Sequence, residues 1–112
     1  MENIRIAAAQ FEHAGGDKAR NLEVIRRLTA RAAEAGAQAV AFHECSITGY
    51  SFARKLSKEE LLVVAEQIPE GPSIRALTEL ARRYGITILA GLFEKDRDGG
   101  IYKAYVAVDK VG

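Results

Sequence analysis

The stretch AQAVAFHECSITGYSF, residues 37–52, decides how the rest of the chain is read. Residues 38–42 are a short apolar run holding Val40 and Phe42, the composition of a strand buried in a sheet. The run stops at His43-Glu44-Cys45, and Thr48-Gly49-Tyr50 follows as a turn signal. In open α/β sheets, ligands gather at the carboxyl ends of the strands. A glutamate delivered there is therefore a candidate functional group.

Upstream, residues 3–11 read NIRIAAAQF, with Ile4, Ile6 and Ala8 alternating with Arg5, Ala7 and Ala9. This is a strand with one face better buried than the other. Gly15-Gly16 breaks the pattern, and Asp17 is placed to cap a helix over 18–35. Leu22, Ile25, Leu28 and Ala32 form its inner face; Arg20, Glu23, Arg27, Arg31 and Glu34 point outward. Gly36 supplies the stop. Strand, helix and strand make a βαβ unit, which requires parallel strands and predicts a right-handed crossover.

Downstream, residues 51–56 show no period and read as a loop. Ser57-Lys58-Glu59-Glu60 fits a capping box that opens a short helix over 58–66. Residues 70–73 are a turn and helix start, and Ile74, Leu77, Leu80, Ala81 and Tyr84 make the apolar stripe of a helix that Gly85 ends. ITILAGLF, residues 86–93, is a third strand whose unbroken hydrophobicity predicts burial on both faces. Residues 96–100 are a hairpin loop leading to a fourth strand over 101–108. The order β-α-β-α-α-β-β defines an α/β fold: a mainly parallel sheet with an antiparallel strand at the end.

Composition narrows the function classes. A length of 112 residues allows one domain, 1–112. Sixteen basic against fifteen acidic residues leave a net charge of +1, without the basic footprint of a nucleic-acid or membrane-surface binder. A 48% hydrophobic content with two prolines excludes disorder. One cysteine forms no internal disulfide, and Cys45 with His13 and His43 is too small a set for a structural zinc, so no metal is expected. The start of the chain lacks a signal-peptide pattern and no segment is long enough to span a membrane. A soluble cytoplasmic protein is the expectation.

These residues also carry a resemblance. IRIAAAQF, Asn21-Leu22, AGAQAVAFHECSITGY, LARRYGITILAGLFE and IYKAYVAVD, in this order and over essentially all 112 residues, resemble the N-terminal part of the nitrilase superfamily of carbon–nitrogen hydrolases. The resemblance implies the N-terminal portion of an α-β-β-α sandwich. It also implies hydrolysis of small-molecule amides, carbamoyl compounds or nitriles by a Glu-Lys-Cys triad with no cofactor. In that chemistry a cysteine thiolate attacks, a glutamate acts as base and later acid, and a lysine stabilises the developing charge. Glu44 falls at the general-base position, where Phe42 and Tyr50 are expected to desolvate it partly. Two departures stand out: His43 replaces a usual Pro, and Lys103 a usual Asn.

The resemblance places the triad Lys after the strand that ends near Val108, and the Cys further on. The domain is accordingly expected to be truncated, with Glu44 alone present and the isolated chain inactive. Cys45 is expected to be a packed small hydrophobe, since in a continued strand its side chain points away from that of Glu44. Lys103 and Lys110 do not match the triad Lys and are expected on the surface. Tyr50, Phe52 and Glu94 are candidates for a substrate pocket, each with an ordinary loop or core role as the alternative. A functional alternative is a catalytically silent module that pairs with itself or with a complementary chain. Apolar side chains of residues 4–8, 40–42 and 86–92, facing a missing second sheet, predict a homo-oligomer.

Overall fold

The computed structural model of the protein describes residues 4–12 and 14–111, with the Tyr50 side chain outside that description. The order of elements is β1 (Ile6–Ala9), α1 (Lys18–Glu34), β2 (Ala39–Phe42), α2 (Tyr50–Arg54), α3 (Lys58–Val64), α4 (Pro72–Tyr84), β3 (Thr87–Lys95) and β4 (Ile101–Val108). They build one four-stranded sheet in the order β1-β2-β3-β4. The pairs β1–β2 and β2–β3 are parallel, and β3–β4 is antiparallel.

Local chemistry sets the boundaries. Asp17 accepts a hydrogen bond from the Arg20 N–H and caps α1. The Ser57 hydroxyl accepts from the Glu60 N–H (3.1 Å) while the Glu60 carboxylate accepts from the Ser57 N–H (3.0 Å), completing the capping box of α3. Pro72 opens α4, and Gly85 closes it in the left-handed conformation with φ of 62°. In the hairpin loop the Asp96 carboxylate accepts from the N–H groups of Asp98 and Gly100.

Residues 51–56 depart from the expected loop, because Tyr50–Arg54 forms the one-turn helix α2. Five residues are too few to display a helical period. The third strand is displaced as well and runs to Lys95, so Glu94 lies within it rather than after it.

Helices α1 and α4 pack side by side on one face of the sheet. Ile25 and Ala32 of α1 and Ile74, Leu77 and Ala81 of α4 meet Val40, Phe42, Ile88, Ala90, Leu92 and Val108 in the main core. The expected exposure of 40–42 and 86–92 is thus corrected: alternate residues of β2 and β3 are sealed beneath these helices. The opposite face is the open one. Ile6 is 63% exposed there, with Ala8, Tyr105 and Ala107 also exposed and Ala39, Ala41, Thr87 and Leu89 half-buried. Burial on both faces, expected for β3, holds only toward its end, where Phe93 joins Cys45, Ala53 and Ala65 in a second, smaller cluster. No helix among the described residues is long and apolar enough to cross a membrane.

Candidate functional site

Glu44 leaves the sheet two residues after the end of β2, at the carboxyl end of a parallel strand. The turn that carries it is tightly held. The Gly49 N–H donates to the Cys45 carbonyl (2.7 Å), and the Ile47 N–H to the Gly91 carbonyl (3.1 Å). Ser46 Oγ accepts from the Gly91 N–H (3.2 Å). From the helical side, Asn21 of α1 reaches the same turn. Its Nδ2 donates to the carbonyls of Ile47 (2.8 Å) and Ala14 (2.9 Å), and its Oδ1 accepts from the Ala14 N–H (2.8 Å). Asn21 is fully buried with every polar atom partnered, a bolt between α1 and the Glu44 turn.

The Glu44 side chain is 64% exposed beside Phe42, and the Tyr50 side chain expected to help desolvate it lies outside the described residues. Glu44 pairs with Lys103 of β4, whose Nζ lies 3.0 Å from Oε1. Lys103 is on the surface as expected, but the sequence offered no sign of this partner. The antiparallel register supplies it by setting Lys103 opposite Phe93 and Tyr105 opposite Gly91. Phe42, Glu44, Lys103, Ala104 and Tyr105 line an open cleft of about 360 Å³. Across it the Tyr105 hydroxyl donates to the Phe42 carbonyl at 2.6 Å.

Cys45 adopts a positive φ of 55°, so the chain does not stay extended through Glu44-Cys45. The side chain is buried as expected, by a different route: the left-handed residue turns it into the small cluster with Phe93, Ala53 and Ala65. Burial first, and then the neighbouring Glu44 charge, push its thiol up, with Lys103 opposing. A protonated, enclosed thiol is a poor nucleophile.

The remaining candidates fall elsewhere. The Tyr50 side chain lies outside the described residues, as does His13. Phe52 sits in α2 over the turn at Gly15-Gly16, where a Cβ on Gly16 would come within 2.5 Å of its ring. It is not among the residues lining the cleft beside Glu44. Glu94 borders a separate cleft with Gln67, Ile68 and Glu70. His43 packs edge-on against Phe11, with ring centroids 4.9 Å apart.

A larger cleft, about 530 Å³, lies over a carboxylate that the sequence did not single out. Glu66 is only 5% exposed. It accepts from Lys18 Nζ (2.7 Å) and from both the N–H (2.7 Å) and hydroxyl of Ser73. With both oxygens engaged by these donors, Glu66 ties α1 to the start of α4, a structural role. The Glu44 cleft is therefore the better candidate despite its smaller volume.

The sequence pattern of the carbon–nitrogen hydrolases matches residues 5–112. The chain belongs to the carbon–nitrogen hydrolase family. Among relatives of this family, a nitrilase from Pyrococcus abyssi is 33% identical over 109 residues, which cover 97% of this chain and 40% of that protein. A hydrolase from Mycobacterium tuberculosis is 34% identical over 104 residues, covering 93% of this chain and 34% of its own length. The fold matches that of the amidase from Nesterenkonia sp. AN1 with a TM-score of 0.74 at 23% identity, over 96% of this chain and 40% of that one. The carbon–nitrogen hydrolase residues described here thus span about two-fifths or less of these proteins, and the matched part is the N-terminal portion of the nitrilase fold.

Proposed function

We propose that Glu44 is the general base of a hydrolase that cleaves carbon–nitrogen bonds in small amides, carbamoyl compounds or nitriles. The observation that carries this reading is its position: a solvent-reachable carboxylate, at the carboxyl end of a parallel strand, on the side of the sheet left open by the helices. Membership of the family supplies the chemistry. Glu44 takes the proton of a cysteine thiol, and the thiolate attacks the carbon of the C–N bond. For an amide, the nitrogen leaves with the proton returned by Glu44, and a thioester remains. Water then adds to the thioester, giving its proton to Glu44, and the acid departs as the thiol is restored. A lysine beside the reacting oxygen stabilises its negative charge. Cys45 is unsuited to the nucleophilic part, because it is enclosed and its thiol is raised. The nucleophile therefore comes from outside these 112 residues.

Assayed alone against simple amides, carbamoyl amino acids and nitriles, the chain is expected to give no turnover. Turnover by the chain alone would overturn the need for an outside nucleophile. When a segment bearing the lysine and cysteine is supplied, in the same polypeptide or by mixing, hydrolysis is expected. Glu44→Gln should then lower kcat by about 10²–10⁴-fold. An unchanged rate in that variant would remove Glu44 from the role of base.

A second reading rests on a different observation, the apolar open face around Ile6, Ala8, Leu89 and Ala107. On this reading the chain is an association module in which the open sheet faces of two copies meet. Light scattering of the purified chain decides it: a dimer or larger species is expected, and a monomer at all concentrations would sink the idea.

A further inference from the structure

Resting on the reading of Glu44 as the base, we propose that Gly91 is a positioning residue for that carboxylate. Gly91 lies inside β3, where a glycine weakens a strand and calls for a reason. The reason is not its backbone conformation, since among the described glycines the positive φ values fall at Gly16, Gly36, Gly49, Gly85 and Gly99. It is space. A Cβ at this position would lie 2.3 Å from the Cys45 nitrogen and 3.1 and 3.2 Å from the carbonyl carbon and Cα of Glu44. All three are backbone atoms, so no flexible side chain can swing aside. The bare surface of Gly91 is the floor on which the Glu44-Cys45 peptide rests.

The turn cannot slide along this floor. The carbonyl and N–H of Gly91 are held by the Ile47 N–H and Ser46 Oγ, and Asn21 grips the Ile47 carbonyl from the other side. A methyl group at position 91 must lift the peptide by about 1 Å to reach ordinary contact. A misplacement of that size costs about 10²-fold in rate at a reacting group. The lift also takes Glu44 out of its present 3.0 Å pairing with Lys103, which provides a readout independent of turnover.

The test is a double substitution followed by NMR of the carboxyl ¹³C resonance of Glu44 in the 112-residue chain. Lys103→Met is expected to displace this resonance in the otherwise unaltered chain. It should leave the resonance in place in the Gly91→Ala background, while the methyl resonances of Ile25 and Leu77 show the helical core intact. An equal response to Lys103→Met in both backgrounds overturns the proposal. Where Gly91→Ala does not fold, both backgrounds also carry Cys45→Gly, which relieves the left-handed residue of the turn so that it can yield to the added methyl. A diminished response then supports the proposal and an unchanged one overturns it. Failure of the base reading is distinguishable, because full turnover in Glu44→Gln would reject that reading while leaving the NMR result untouched.

Discussion

Burial by itself would raise the Glu66 carboxyl, but the hydrogen bonds from Lys18 and Ser73, with the Lys18 charge, outweigh it and hold the group below its ordinary value. A folded-state pKa below the unfolded one means that the folded chain resists protonation. The resulting stabilisation is fully present above the unfolded value of about 4.5 and is lost as pH falls through the lower folded value. Glu66→Gln is expected to cost about 3 kcal/mol at pH 7, because it strips the charge from a buried pair, and to flatten the acid limb of the stability curve. Urea titrations between pH 3 and pH 7 measure both, and an acid limb identical to that of the unaltered chain would refute the assignment. Cys45 makes the opposite case, a buried group with its thiol raised. Native Cys45 should react with a thiol reagent far more slowly than the urea-unfolded chain, and equal rates would show that the enclosure is wrong.

At the level of elements, one side chain of α1 fixes the turn after β2. Asn21→Ala leaves the Ala14 N–H and the Ile47 carbonyl without their side-chain partner, at an expected cost of about 1–3 kcal/mol. Chemical denaturation checks this, and a loss under about 0.5 kcal/mol would show that the turn is held by other bonds. Regular elements were legible beforehand because their signals are local. The stripe from Ile74 to Tyr84, stopped by Gly85, announced α4, and β4 runs over the residues expected of it. What escaped were features made by distant parts of the chain. Glu66 follows the apolar run of residues 61–65, and its partner Lys18 lies forty-eight positions away, beyond the reach of any local signal. Lys103 finds Glu44 only through the register of β3 and β4. Asn21 left a clue, since it shares a helical face with Ile25 and Ala32, where a buried amide must have local partners.

For the molecule as a whole, the asymmetry of the sheet dominates: helices cover one side, while much of the other is open and apolar. Exposed apolar surface costs roughly 25 cal/mol per Å², and covering it is the driving force for association. Ile6→Lys, on the edge strand β1 of the open face and outside the helical core, should therefore shift the chain toward monomer with little loss of thermal stability. Sedimentation of both proteins tests this, and an unchanged association state would move the contact elsewhere. The sheet also has a brace. Tyr105 belongs to β4 and hydrogen-bonds the last residue of β2, although β3 lies between those two strands. Mechanically, this cross-strut couples the hairpin to the strand end that carries Glu44, so a displacement of the outer strand has a direct path to the carboxylate's turn.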